Sequence, residues 1–219
     1  MKKKQLEMML ERLEGFSRPS FQREQYSTPA AVAAEMLYLA AIRGDLEGCT
    51  VCDLGCGTGI LAIGASLMGA RAVGVETDPE ALAAAKRNAE RLGVTVHLLR
   101  ADVRSIELRH IDTVIMNPPF GAQKASEGDR AFLSRALRTA GVVYSLHNRG
   151  SAGFIRGFVK PAAIWEMYRI PYPLKRCFDF HSKSVKTIDV ELYRIVRAGP
   201  QEITKENNWG EDRTRSSMV

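Results

Sequence analysis

Thr50-Val51-Cys52-Asp53-Leu54-Gly55-Cys56-Gly57-Thr58-Gly59-Ile60 spells a short apolar strand, a glycine-rich turn and the start of a helix. An apolar helical pattern continues over 60–68, so the segment opens a βα unit. Outward from it the same alternation repeats. Strand patterns cover 72–76, 95–100, 113–116 and 141–146, and helical patterns cover 79–92, 131–139 and 151–163. Asp78 is the expected N-cap of the 79–92 helix and Gly93 its stop. Alternating patterns over 165–197 predict two closing strands. Strands alternating with helices predict an α/β fold with a doubly wound, mostly parallel sheet, whose ligand crevice lies beyond the carboxyl ends of the strands.

Upstream, Leu6, Met9, Leu10 and Leu13 fall at helical spacing within 2–13, and 15–25 is a polar connecting loop. Thr28-Pro29 predicts a helix start, with threonine as N-cap and proline at the first helical position. That helix runs to about Arg43, where Gly44 ends it. The expected organisation is an N-terminal helical extension over 1–44, a catalytic domain over 45–198 and a disordered polar tail over 199–219.

Composition narrows the class. Hydrophobic residues make up 45% of 219, which suffices for one globular core. A formal charge of +6 permits an anionic partner such as nucleic acid without requiring one. The charged start of the chain lacks the apolar core of a secretory signal, and Glu35 and Arg43 interrupt the longest apolar stretches. Neither feature fits a membrane span, and a cytoplasmic protein is expected. Cys49 and Cys52 form a C-x-x-C with no second pair at ligand spacing, so they, Cys56 and Cys177 are expected to be reduced thiols, with no metal site.

The glycine loop reads G-x-G-x-G behind Asp53, whereas a dinucleotide site reads G-x-G-x-x-G. A carboxylate there would repel a pyrophosphate. It suits S-adenosylmethionine, whose amino-acid end carries an ammonium beside a sulfonium. Glu76 ends the second strand about 20 residues on, where a carboxylate accepts ribose hydroxyls. Asp102, before Val103, follows the third strand and is matched to an adenine amino group. The expected cofactor residues are Asp53, Gly55, Cys56, Gly57, Thr58, Gly59, Ile60, Glu76, Thr77, Asp102, Val103 and Asn117.

Met116 is followed by Asn117-Pro118-Pro119-Phe120. Two prolines stiffen the backbone and remove donors, leaving the Asn117 side-chain oxygen and the Pro118 carbonyl as fixed acceptors. Phe120 offers a face for stacking, worth about 1–3 kcal/mol per base. An aromatic amino group delocalises its lone pair into the ring. Two acceptors holding its two N–H bonds favour a tetrahedral nitrogen whose lone pair meets the methyl carbon. These four residues are the expected catalytic set. The planar nitrogen with two hydrogens that they fit occurs in adenine, cytosine, guanine and protein glutamine.

The Asp53–Gly59 loop resembles class I S-adenosylmethionine-dependent methyltransferases, and the tetrapeptide resembles their amino-methylating members. The resemblance implies a seven-stranded, Rossmann-like sheet. Three further segments are similar to the methyltransferase-like protein 5 family and its archaeal counterparts. These are Glu24-Gln25-Tyr26-Ser27-Thr28-Pro29; Asn117–Gly121 with Ala131-Phe132-Leu133 and Val143-Tyr144-Ser145-Leu146-His147; and Phe180-His181-Ser182-Lys183-Ser184-Val185 with Asp189-Val190-Glu191-Leu192. The resemblance implies N6-methylation of an adenosine in small-subunit ribosomal RNA, and it implies that Gln25 and Thr28 join the cofactor pocket with Tyr26 close by. It also implies a heterodimer with a small zinc-binding activator protein covering an apolar edge. Relatives commonly use aspartate where Glu76 stands, and 123–129 departs from the pattern. Lys183 and Lys186 face either phosphate or solvent, and His147 and His181 receive no catalytic role. Two alternatives stay open: a protein glutamine N5-methyltransferase, and a non-catalytic nucleic-acid-binding module of the same fold.

Overall fold

The computed structural model describes residues 1–17, 19, 25–119, 127–175 and 185–197. The chain forms α1 (Lys3–Leu10), α2 (Ala30–Ile42), β1 (Thr50–Leu54), α3 (Ile60–Leu67), β2 (Arg71–Glu76), α4 (Pro79–Leu92), β3 (Val96–Arg100), β4 (Thr113–Met116), α5 (Glu127–Thr139), β5 (Val142–Asn148), α6 (Ala152–Phe158), β6 (Ala163–Lys175) and β7 (Val185–Val196). One seven-stranded sheet results, in the order β3-β2-β1-β4-β5-β7-β6. The first five strands are parallel, and β7 runs antiparallel between β5 and β6. Strand order reverses between β1 and β4, which opens a crevice at their carboxyl ends.

The central strands β1 and β4 are buried on both faces because helices cover both. Val51, Ile115, Tyr144 and Leu146 face a core filled by Leu6, Leu10, Met36 and Leu37 of α1 and α2 and by Leu61 of α3. Cys52, Val114, Met116 and Val143 alternate with them and face Leu133, Ala136 and Ile155 of α5 and α6. At the amino ends of the strands, Asp45 accepts from the Tyr144 hydroxyl at 2.6 Å and Arg194 Nε at 2.9 Å.

Two local expectations change. Thr28 does not cap α2: its side chain makes no cap hydrogen bond and Pro29 occupies the N-cap. The Thr28 hydroxyl instead accepts from Asn117, 89 residues away, at 2.9 Å. The helix expected over 151–163 stops at Phe158, and Ala163 already begins β6. Pro161 lacks a backbone donor and cannot continue a helix. The expected tail over 199–219 and the segment 180–184 lie outside the described residues. Among the described residues, no helix is long and apolar enough to cross a membrane.

Candidate active site

The turn after β1 folds back over β2: the Gly55 and Cys56 amides donate to the Val75 carbonyl at 2.9 and 3.0 Å. Gly55 has φ +72° and Gly57 φ +53°, a region costly for side-chain-bearing residues. A Cβ at Gly55 would lie 2.8 Å from the Phe132 ring, and one at Gly57 2.8 Å from the Phe16 ring. The loop therefore leaves a cavity of about 450 Å³, with those two rings at its margins. Gly59 stands behind it, close enough to Ala85 of α4 that a Cβ would sit 3.0 Å away.

Three carboxylates reach the cavity wall, from the ends of β1, β2 and β3. Asp53 is 1% exposed and accepts from the Ala62 amide at 3.0 Å. Burial pushes its pKa up to about 8, the Ala62 amide opposes, and the Glu76 charge adds to the rise. Glu76 folds onto the loop: Oε2 accepts from the Gly57 amide at 3.0 Å, and Oε1 from the Thr77 and Asp78 amides at 2.7 and 3.0 Å. Asp102 accepts from the side chain and amide of Arg104, which hold its pKa down to about 2. A cation, a diol and an amino group each find a carboxylate along this wall, so the residues fit S-adenosylmethionine.

Gln25, Thr28, Cys56, Thr58, Ile60, Thr77, Val103 and Asn117 also line the cavity, leaving Gly59 as the one expected cofactor residue outside its wall. Gln25 donates to Asp78 at 2.7 Å, tying the N-terminal segment to the start of α4. Burial pushes the Cys52 and Cys56 thiols up, so neither is a nucleophile at neutral pH.

Asn117 ends β4 beside Thr28. Its Nδ2 donates to Thr28 Oγ1 at 2.9 Å and to the Tyr172 hydroxyl at 3.1 Å. Its Oδ1 is buried and has no partner among the described residues. Pro118 is buried, Pro119 lines the cavity, and Phe120 lies outside the described residues.

Sequence reasoning missed four contributors. Phe16 and Arg104 line the cavity, Tyr172 holds Asn117, and Asn88 of α4 donates to the Thr58 and Glu14 carbonyls, each at 3.0 Å. Only Phe16 had a local signal, as an aromatic in a polar loop; the others depend on tertiary contact. His147 is buried beside Ser145, whose hydroxyl lies 2.7 Å from Nε2, while Nδ1 faces Asp129 at 3.6 Å. Among the described residues no group of three or more His, Cys, Asp or Glu could hold a metal ion.

The family model described as methyltransferase small domain matches residues 28–150. The chain is 35% identical over 208 residues to the rRNA N(6)-adenosine-methyltransferase Mettl5 of Drosophila melanogaster, covering 89% of this chain and 96% of that protein. It is 35% identical to the rRNA N(6)-adenosine-methyltransferase METTL5 of Danio rerio, covering 90% and 99%. A candidate RNA methyltransferase from Pyrococcus horikoshii, known from a crystal structure, superposes with a TM-score of 0.83 at 37% identity, covering 90% and 98%.

Proposed function

The chain belongs to the methyltransferase-like protein 5 family of S-adenosylmethionine-dependent methyltransferases, and we propose that it methylates the exocyclic N6 of an adenosine in small-subunit ribosomal RNA. The observation that carries the reading is the buried, unpartnered Asn117 Oδ1 at the cavity wall. A buried acceptor without a partner costs about 1–3 kcal/mol. An amino N–H of the substrate would relieve that cost.

When bound, S-adenosylmethionine supplies a methyl group on a sulfonium, an electrophile strong enough to need no general base. Asp53 is matched to the ammonium, Glu76 to the ribose hydroxyls and Asp102 to the cofactor adenine. Asn117 Oδ1 accepts one hydrogen of the substrate amino group and the Pro118 carbonyl the other. Phe120, outside the described residues, is the aromatic that the motif offers for stacking on the base. The nitrogen lone pair is thereby drawn out of conjugation and turned toward the methyl carbon. That lone pair would take the methyl group from the held cofactor, which gives up its S–C bond for the new N–C bond. The amino nitrogen then loses a proton to solvent, with Asn117 Oδ1 holding it until it leaves.

The reading includes action in the cytoplasm and a small zinc-binding activator as partner. Exposed apolar residues on one outermost strand, Trp165 and Met167 of β6, support a covered sheet edge. The test is nucleoside mass spectrometry after incubation with isotopically labelled cofactor and unmodified small-subunit ribosomal RNA, with and without the activator. Labelled N6-methyladenosine is expected. Label in protein, with none in RNA, would move the reading to glutamine.

A further inference from the structure

The geometry points to Tyr172 as a positioning residue for methyl transfer: its hydroxyl fixes the face that the Asn117 amide turns to the substrate. This rests on the reading of Asn117 Oδ1 as the acceptor. A side-chain amide has two orientations that exchange oxygen and nitrogen. Only the one with Oδ1 at the substrate receives an amino N–H; the other sets donor against donor.

In the observed orientation both Nδ2 hydrogens have acceptors, Thr28 Oγ1 at 2.9 Å and Tyr172 Oη at 3.1 Å. Turning the amide over would place Nδ2 where Oδ1 now has no partner, burying two donors in place of one acceptor. Two unmet donors cost more than one unmet acceptor, so the pair of hydroxyls biases Asn117 toward its competent face. Thr28 cannot isolate the effect, because it also lines the cofactor cavity. Tyr172 can. It is 1% exposed and projects from β6, three strands from β4 in the sheet, and it is not part of the cofactor cavity wall. The edge hairpin thereby orients the central tetrapeptide.

The experiment compares wild type and Tyr172→Phe as full chains with the activator, reading kcat, KM for RNA and calorimetric cofactor affinity. In the ligand-free protein, NMR reads hydrogen exchange of the Asn117 side-chain amide, assigned by its loss in Asn117→Asp. The expected result is a kcat about tenfold lower, with KM and cofactor affinity within about twofold. Asn117 amide protection should be present in wild type and clearly reduced in the variant, where only Thr28 still accepts. An unchanged kcat, a parallel fall in cofactor affinity, or a kcat loss with protection intact would each overturn the inference. So would an unprotected Asn117 amide in the wild type, a measurement that needs no variant to fold. Rates are read on whichever amino nitrogen the wild type methylates. A substrate other than adenosine would therefore sink the preceding reading and leave this one open to the same measurements.

Discussion

Replacing Asp53 with asparagine is expected to stabilise the ligand-free protein while weakening its hold on the cofactor. Asp53 is buried, with burial pushing its pKa from 3.8 up to about 8. The folded state thus binds this proton more tightly than the unfolded state. Its contribution to stability is complete below pH 4 and declines as pH rises toward 8. pH 7 lies about three units above the unfolded pKa and still below the folded one, so at about 1.4 kcal/mol per unit the loss is about 4 kcal/mol. Asparagine can still accept from the Ala62 amide and carries no such penalty. Its melting temperature at pH 7 should exceed wild type by on the order of 10 °C, the difference closing below pH 4. The cofactor reverses the sign, because a neighbouring cation favours the carboxylate. Wild type should release close to one proton per cofactor bound at pH 7, read by calorimetry in buffers of different ionisation heat. Its affinity should rise with pH up to about 8. The asparagine variant should release correspondingly less and bind weakly. A variant that is less stable at pH 7, or that binds the cofactor as well as wild type, would refute the reasoning.

Asn117→Ala should abolish turnover and leave calorimetric cofactor affinity nearly intact; parallel loss of both would make Asn117 a structural residue. Gly64→Ala should destabilise by about 1–3 kcal/mol, read by thermal melting. Its new Cβ would lie 2.3 Å from Leu37 Cδ1 where α3 crosses α2. Arg194→Ala should cost about 3–5 kcal/mol by denaturant titration, because it strips a cation from the half-buried Asp45 carboxylate. A loss below about 1 kcal/mol would mean that the Tyr144 hydroxyl alone satisfies Asp45.

Most elements were legible because their boundaries are local. Gly55 closes β1, Asp78 caps α4 through the Glu80 amide at 2.9 Å, and Gly93 ends it with φ +65°. The three acidic residues were legible too, since a parallel sheet delivers successive strand ends to one crevice. What the sequence hid was partnership across distance. Thr28 reads as a cap because cap residues and hydroxyl acceptors look alike in a string. Asn117, 89 residues away, determines which role it takes. Arg104 was silent because its pairing with Asp102 is one of many short-range options for a flexible cation. Tyr172 sits in a strand pattern whose buried aromatics normally signal only packing.

The two ends of the sheet treat polar groups differently. At the amino ends, Asp45 meets Tyr144 and Arg194, and its carbonyl accepts from the Thr113 hydroxyl at 2.8 Å. That network leaves no described side-chain atom in it unmatched. The three buried side-chain atoms without partners among the described residues are Asn117 Oδ1, Asp129 Oδ1 and His147 Nδ1. Asn117 and His147 lie at the carboxyl ends of β4 and β5, and Asp129 lies in the first turn of α5 facing His147. Their 3.6 Å separation exceeds a hydrogen bond. Each unmet group costs about 1–3 kcal/mol, so this end is held in place by the rest of the fold and not by its own contacts. A site that must accept a substrate hydrogen bond cannot satisfy it internally beforehand. The unmatched Asn117 oxygen is the form that requirement takes here, and the satisfied network at the opposite end is what allows the fold to carry it.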